Sequence, residues 1–221
     1  KPDPVSPSFF GETVVDRPIP QTIITFALPG ILRSDPDWFP AFVMNHILGG
    51  GTFTARLFRE VRETRGLAYS VGTTLYPLDR AGLLYGYAAT RNDRARETVQ
   101  VIRDQIARFA EEGPTEAELA GAKKYLTGSF PLSLDGSGAV AGLLVTMQIH
   151  NLPPGYLDDR SSLIEAVTAE DVKRVAKRLL DTDKLSVVMV GQPADGAGSA
   201  APAAARVSED GARSTSPNSI Q

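Results

Sequence analysis

The sequence contains no cysteine among its 221 residues. This absence excludes disulfide bonds, thiolate metal sites and cysteine nucleophiles together. It does not fix the compartment, because a protein without cysteine is compatible with any redox environment. The sequence also lacks an apolar stretch of roughly 18 residues or more, the length that a membrane-spanning helix requires. We therefore expect no membrane span.

Histidine is scarce, and the chain has only His46 and His150. They lie far apart, and neither belongs to a pair of histidines that flanks a glutamate, as in helical zinc-protease motifs. We interpret both as packing or helix-end histidines and expect no metal site in this chain. No serine lies in a Gly-x-Ser-x-Gly turn, so nucleophilic hydrolysis has no evident candidate either.

Positive charge is not concentrated anywhere in the sequence. The 23 Lys and Arg residues nearly balance the 26 Asp and Glu residues, and the formal net charge is -3. A nucleic-acid-binding protein normally shows a basic run or patch. Nucleic acid is therefore not an expected partner.

The two ends of the chain differ in composition from its centre. Residues 1–20 carry five prolines, and we interpret them as an extended lead-in or an inter-domain linker. Residues 194–221 are rich in Ala, Gly, Ser and Pro and predict a disordered tail, because they have too few apolar groups to offset the entropy of ordering. One folded domain is then expected over residues 21–193. The start at Lys1 without an apolar signal segment is interpreted as that of a fragment or a mature product.

Strands and blocks of helices alternate along the expected domain. Apolar periodicity, capping residues and breakers predict the helices, two of them beginning at capping boxes of Thr115 with Glu118 and Thr168 with Asp171. This order is typical of an α+β fold, an antiparallel or mixed sheet with helices packed mainly on one face. The predicted strands are 21–29, 68–76, 82–90 and 184–190, and the helices without a capping box are 36–48, 54–65, 95–112 and 136–150.

A glycine run, Gly49-Gly50-Gly51, separates the first two predicted helices. It could suggest a phosphate-binding loop, but no lysine follows it and no strand precedes it, so that mechanism lacks its parts. The favoured interpretation is a flexible helix–helix connection. Contact of these three glycines with a substrate is kept as a further expectation.

The most informative stretch is residues 48–71, LGGGTFTARLFREVRETRGLAYSV. Arg62 is expected in the last turn of a helix and Tyr69 at the start of the next strand, with Gly66 reversing the chain between them. The two side chains can then converge as a donor pair able to bond a peptide carbonyl or stabilise an oxyanion. The alternative is a cationic residue favoured at a helix C-terminus and an ordinary strand tyrosine.

These motifs resemble the C-terminal domains of the pitrilysin/insulinase family of zinc peptidases, which includes the mitochondrial processing peptidases. The resemblance extends over about residues 20–192. Within the family, the sequence is similar to the bacterial two-subunit branch. It rests on the glycine run, on RLF at 56–58, VRE at 61–63 and GLAYSV at 66–71, and then on GSFPL at 128–132 and LIEAVTAEDV at 163–172.

The resemblance implies a sheet backed by helices and a partner half, in another chain or domain, whose His-x-x-Glu-His motif and distal glutamate hold zinc. It implies that Tyr69 bonds the scissile carbonyl or oxyanion, that Arg62 holds substrate backbone, and that an edge strand pairs with an extended peptide. Alone, this chain would be inactive and would hold no cofactor. A non-catalytic scaffold subunit of the same fold remains the alternative. The compartment is left open by the sequence, and the resemblance to bacterial pairs favours the cell envelope over the cytoplasm.

Overall fold

A computed structural model describes residues 10–194. Its framework is one five-stranded sheet in the order β1-β5-β2-β4-β3. Only the β1–β5 pair is parallel, and the other three pairs are antiparallel. The strands are β1 Gly11–Asp16, β2 Gln21–Pro29, β3 Ala68–Pro77, β4 Gly82–Arg91 and β5 Ser186–Gly191.

Alternation along β2 shows why the sheet carries its helices on one face. Ile24, Phe26 and Leu28 are buried, whereas Ile23 is half-exposed, as the period of two along a strand requires. The buried side chains join a single core with the apolar faces of the helices. The α+β prediction, a mixed sheet backed by helices, is confirmed.

The helices follow the strands in blocks. The first, α1, continues into a wider turn, His46–Gly50, and a second wide helical segment, Phe58–Thr64, precedes β3. Both predicted capping boxes are present, at the first residues of α3 and α6. The α-helices are α1 Trp38–Asn45, α2 Ala95–Glu112, α3 Glu116–Gly128, α4 Ser137–Ile149, α5 Tyr156–Glu165 and α6 Ala169–Leu179, with short 3₁₀ turns at Thr52–Thr54, Asn92–Arg94, Pro131–Leu134 and Thr182–Lys184.

Two elements differ from the sequence-based prediction. Residues 11–16, assigned to the lead-in outside the domain, form β1, which adds to the sheet by pairing with β5 near the other end of the chain. Helix α5 was also missed, because only Arg160 and Ile164 of its residues are buried and its apolar periodicity is weak. The tail predicted for residues 194–221 lies, except for Ala194, outside the described residues.

Within residues 10–194 no single helix is both long and apolar enough to cross a membrane. One pair of helical stretches, Glu116–Leu134 and Ser137–Ile149, meets the length and composition only when taken together across a bend of 117°.

Candidate functional site

A tight reversal brings Arg62 and Tyr69 together at the end of the sheet. Gly66 has a φ of +59°, a left-handed conformation that glycine adopts without a steric penalty. The Gly66 N–H donates to the Arg62 carbonyl at 3.0 Å, and the Leu67 N–H donates to the Val61 carbonyl at 2.8 Å. These two nested bonds end the helical segment and direct the chain into β3.

The Arg62 side chain lies between two aromatic rings. Its Cζ atom is 4.6 Å from the Tyr69 ring centroid and 4.8 Å from that of Phe58, distances typical of cation–π contacts. Tyr69 is 79% exposed, so this residue is open to solvent. Among residues 10–194, no hydrogen bond or ion pair engages the Arg62 guanidinium. The convergence predicted from the sequence is present, while the catalytic role of the pair stays a prediction.

A third ring extends this contact chain away from Tyr69. Phe58 is almost fully buried and packs edge-on against Phe53, with ring centroids 5.1 Å apart. Phe53 is 66% exposed, and it stands at the edge of a groove of about 750 Å³. Tyr69, Arg62, Phe58 and Phe53 therefore form one continuous row, which we call the aromatic row.

The helical segment that carries Arg62 is anchored to α3 by a bidentate ion pair. Arg56 donates from Nε and Nη2 to the two oxygens of Glu118 at 2.8 and 2.6 Å, and from Nη2 to the Gly113 carbonyl at 2.9 Å. Arg59 donates to the same carboxylate at 3.0 Å. Because Glu118 also caps α3 through Thr115, one carboxylate ties two elements together.

The environment of Glu118 favours its charged form. Burial alone would raise the pKa of this carboxyl, but hydrogen bonds and charge from Arg56, with the Thr115 backbone N–H, outweigh it and lower the pKa from 4.5 to about 2. Hydrogen bonds to a carboxylate favour ionisation in this way. Glu118 is therefore a carboxylate at neutral pH, with Arg56 as its main partner.

The glycine run packs closely against β3. A Cβ atom on Gly49 would lie 2.9 Å from the backbone nitrogen of Thr73, closer than such atoms approach. On Gly51 a Cβ atom would lie 2.7 Å from the His46 carbonyl oxygen. Gly49 is buried, whereas Gly50 is exposed. Close approach of a helical turn to a strand thus accounts for Gly49, and substrate contact by Gly49, Gly50 and Gly51 stays a prediction.

His46 lies on the floor of the same groove rather than at a metal site. It is 7% exposed, and its ring stacks on Tyr125 of α3 with centroids 5.0 Å apart. Burial lowers the pKa of His46 below its usual value, so the ring is neutral at physiological pH. Within residues 10–194 no group of three or more His, Asp or Glu side chains is placed to hold a metal ion.

The sequence predicted no place in the site for Phe53, Phe58, Glu118 or Tyr125, although Glu118 was predicted as a capping residue of α3. The Arg56–Glu118 pair spans 62 positions, so no local spacing signals it. Phe58 stands one position after the Arg56-Leu57 pair in the RLF motif, which was the only available signal. These residues belong to the site because the fold brings the 46–64 region against α3.

Known proteins that are similar to this chain identify its family. The family described as peptidase M16 inactive domain matches residues 1–126. An uncharacterized zinc protease of Streptomyces coelicolor is 34% identical over 167 residues, which are 76% of this chain and 36% of that protein. The protein named non-peptidase homolog YmxG of Helicobacter pylori is 34% identical over 180 residues, 81% of this chain and 41% of its own length. The chain thus spans about two fifths of these relatives.

A solved structure agrees with the sequence relatives. The peptidase M16 inactive domain from Pseudomonas fluorescens has a TM-score of 0.78 and 34% identity, covering 86% of this chain and 45% of that chain. The family match includes β1 to β4, Arg62 and Tyr69. The family resemblance drawn from the sequence motifs is therefore confirmed. The chain belongs to the peptidase M16 family of zinc proteases, as its inactive domain.

Proposed function

We propose that this chain is the substrate-binding half of a two-part zinc endopeptidase, and that it supplies Arg62 and Tyr69 to the active site of a zinc-bearing partner half. The observation that carries the proposal is the Arg62–Tyr69 contact, 4.6 Å from Cζ to ring centroid, with Tyr69 exposed. Two donors of different chemistry stand together where a strand begins.

The Arg62 and Tyr69 side chains would bond different atoms of a peptide. The Tyr69 hydroxyl can donate one hydrogen bond to a carbonyl oxygen that gains negative charge as water attacks. The Arg62 guanidinium offers five N–H donors in a planar fork. The contacts of the Arg62 Cζ atom with the Phe58 and Tyr69 rings hold the guanidinium in place and leave its donors for substrate backbone carbonyls.

The residues of this chain do not fit the zinc that the family uses. His46 is buried against Tyr125, and at the spacing of a His-x-x-Glu-His motif it is preceded by Phe42 and Asn45. None of these could complete a three-ligand site. The proposal therefore assigns zinc, which would polarise the scissile carbonyl and activate water, to the partner half.

The sheet offers a way to hold an extended peptide beside these donors. β3 is the last strand of the sheet and has β4 as its one neighbour among the described strands. An edge strand can accept a further strand through backbone hydrogen bonds. Because Tyr69 is the second residue of β3, a peptide paired there would pass the Arg62–Tyr69 pair.

A non-catalytic role is the second candidate. It is favoured by one relative, 34% identical over 180 residues, whose name describes a non-peptidase homolog. In that case the chain would act as a scaffold or interaction subunit, and the donor pair would have no reaction to serve.

Co-expression with the zinc-bearing half encoded nearest to this chain tests the proposal. The complex should hydrolyse a quenched, unstructured peptide, and Arg62→Ala should raise KM because it removes a charged donor to substrate backbone. Arg65→Ala is the matched control. Arg65 is an exposed arginine three positions after Arg62, and its ion pair with Glu60 spans 3.6 Å. A stable, inactive complex would instead support the scaffold role.

A further inference from the structure

The groove beside Phe53 is a concave feature with a mostly apolar lining. It has a volume of about 750 Å³, within the range of small-ligand sites. One wall is the 46–54 region and the other is α3. Ile47, Ala122 and His46 form its buried floor, and Phe53, Tyr125 and Leu132 stand exposed at its edge.

Among the charged side chains that line the groove, Lys124 is exposed on α3 and lies outside the buried floor. Glu118 is already bonded to Arg56 and Arg59, and burial keeps His46 neutral by lowering its pKa. A charged ligand group would find no free counter-charge on the floor. Apolar and aromatic lining with a neutral floor suits a large apolar side chain.

Two glycines of α3 line the groove without a packing reason in the described structure. A Cβ atom on Gly121 or Gly128 would meet no other atom within 4 Å, and neither residue has a positive φ. Glycine destabilises a helix interior, where Gly121 lies, relative to alanine. The absence of side chains at these two positions keeps the groove open, which a bound ligand would explain.

The aromatic row gives the groove a defined relation to the donor pair. Following its three contacts, the Phe53 ring lies no more than about 15 Å from the Tyr69 ring. An extended peptide advances about 3.3 Å per residue. Roughly four residues of peptide could therefore join the two places.

We infer that this groove is a subsite for a large apolar or aromatic side chain of the peptide substrate, up to about four residues from the carbonyl held at Tyr69. The inference rests on the proposed function for the identity of its ligand, an extended peptide. It adds a preference that the donor pair alone cannot supply, since Arg62 and Tyr69 bond backbone atoms that every peptide shares.

Gly121→Leu tests the subsite by filling it. Its Cβ meets no atom, so the variant should fold, and leucine favours a helix over glycine. Gly142→Leu is the matched control, because Gly142 is an exposed glycine of α4 with equally open space and does not line the groove. The probes are unstructured peptides in which one phenylalanine is moved, position by position, through an alanine and serine background.

Two measurements are made for each variant: kcat/KM in the complex with the zinc-bearing half, and direct binding of the fluorescent peptides to the whole chain. We expect one phenylalanine position to be preferred about tenfold or more over alanine, a single-pocket effect. Gly121→Leu should remove that preference in both measurements, and Gly142→Leu should keep it. A preference that survives Gly121→Leu overturns the subsite even if Tyr69→Phe slows turnover.

Other outcomes separate the subsite from the proposed function and from other occupants. The complex could be inactive while the chain binds phenylalanine peptides and the Gly121→Leu variant does not bind them. In that case the subsite stands and the catalytic role fails. If Gly121→Leu instead blocks capture of the zinc-bearing half, or changes self-association of this chain in ultracentrifugation, the groove is a protein interface and the inference is wrong.

Discussion

Arg56 and Glu118 form a bidentate ion pair, with hydrogen bonds of 2.8 and 2.6 Å that join the 56–64 region to the first turn of α3. The Arg56 Cζ atom also lies 4.4 Å from the Phe109 ring centroid of α2. The segment that presents Arg62 is thus held by charge, hydrogen bonds and packing at its beginning, and by the Gly66 turn at its end.

Glu118→Gln is expected to destabilise the domain by about 2–3 kcal/mol, because it leaves the Arg56 guanidinium buried without its counter-charge. Chemical denaturation at neutral pH measures the change. Glu97→Gln is the control, since the exposed Arg94–Glu97 pair at 3.2 Å at the start of α2 should contribute little. Equal losses for the two variants would contradict the anchoring role of Glu118.

The same pair predicts a pH dependence. The folded-state pKa of Glu118 is about 2, below its ordinary 4.5, so its contribution is complete above about pH 4.5 and is lost as the pH falls from there towards about 2. The stability difference between wild type and Glu118→Gln should therefore shrink from about pH 5 to about pH 3. A stability difference that stays constant over this pH interval would show that Arg56 does not lower the pKa of Glu118.

The glycine positions predict opposite effects of one substitution. Gly49→Ala should cost about 1–3 kcal/mol, because its Cβ would press on the Thr73 backbone of β3. Gly121→Ala should stabilise by about 0.5–1 kcal/mol, because its Cβ enters open space on a helix. Thermal unfolding of both variants is the measurement. A neutral Gly49→Ala would contradict the packing explanation.

Metal analysis tests where the zinc resides. The purified chain should hold no stoichiometric zinc and should cleave no peptide, since within residues 10–194 no group of three or more potential ligands is placed to hold a metal ion. The complex with the partner half should contain one zinc ion. One tightly bound zinc per isolated chain, measured by mass spectrometry of metals after dialysis, would show that this chain itself provides the ligands.

Much of the fold could be predicted because its signals are local. The strands β2, β3 and β4 lie within a residue or two of the predicted 21–29, 68–76 and 82–90, and the Thr115 and Thr168 capping boxes are both formed. β1 escaped prediction because its identity as a strand depends on pairing with β5, more than 150 positions away. No local pattern encodes such a partner.

The candidate site also has one part that follows from local sequence and one part that does not. Arg62 and Tyr69 stand seven positions apart on either side of Gly66, so their contact follows from one local turn. The groove does not, because its two walls come from the 46–54 region and from α3, and the stacking of His46 on Tyr125 joins them. Phe53 belongs to the site only because it packs on Phe58 and lines the groove together with the residues of α3.

Turnover of the Tyr69→Phe complex tests the central claim most directly. This change removes one hydroxyl and little volume, and because Tyr69 is exposed the melting temperature should not move. Tyr76→Phe is the matched control, a half-exposed tyrosine of the same strand whose ring packs on Tyr85 instead of Arg62. If the Tyr69 hydroxyl donates to the oxyanion, kcat should fall on the order of 10²-fold, with zinc content and KM nearly unchanged and Tyr76→Phe at wild-type rate. Full turnover in a Tyr69→Phe complex of wild-type stability would contradict the account.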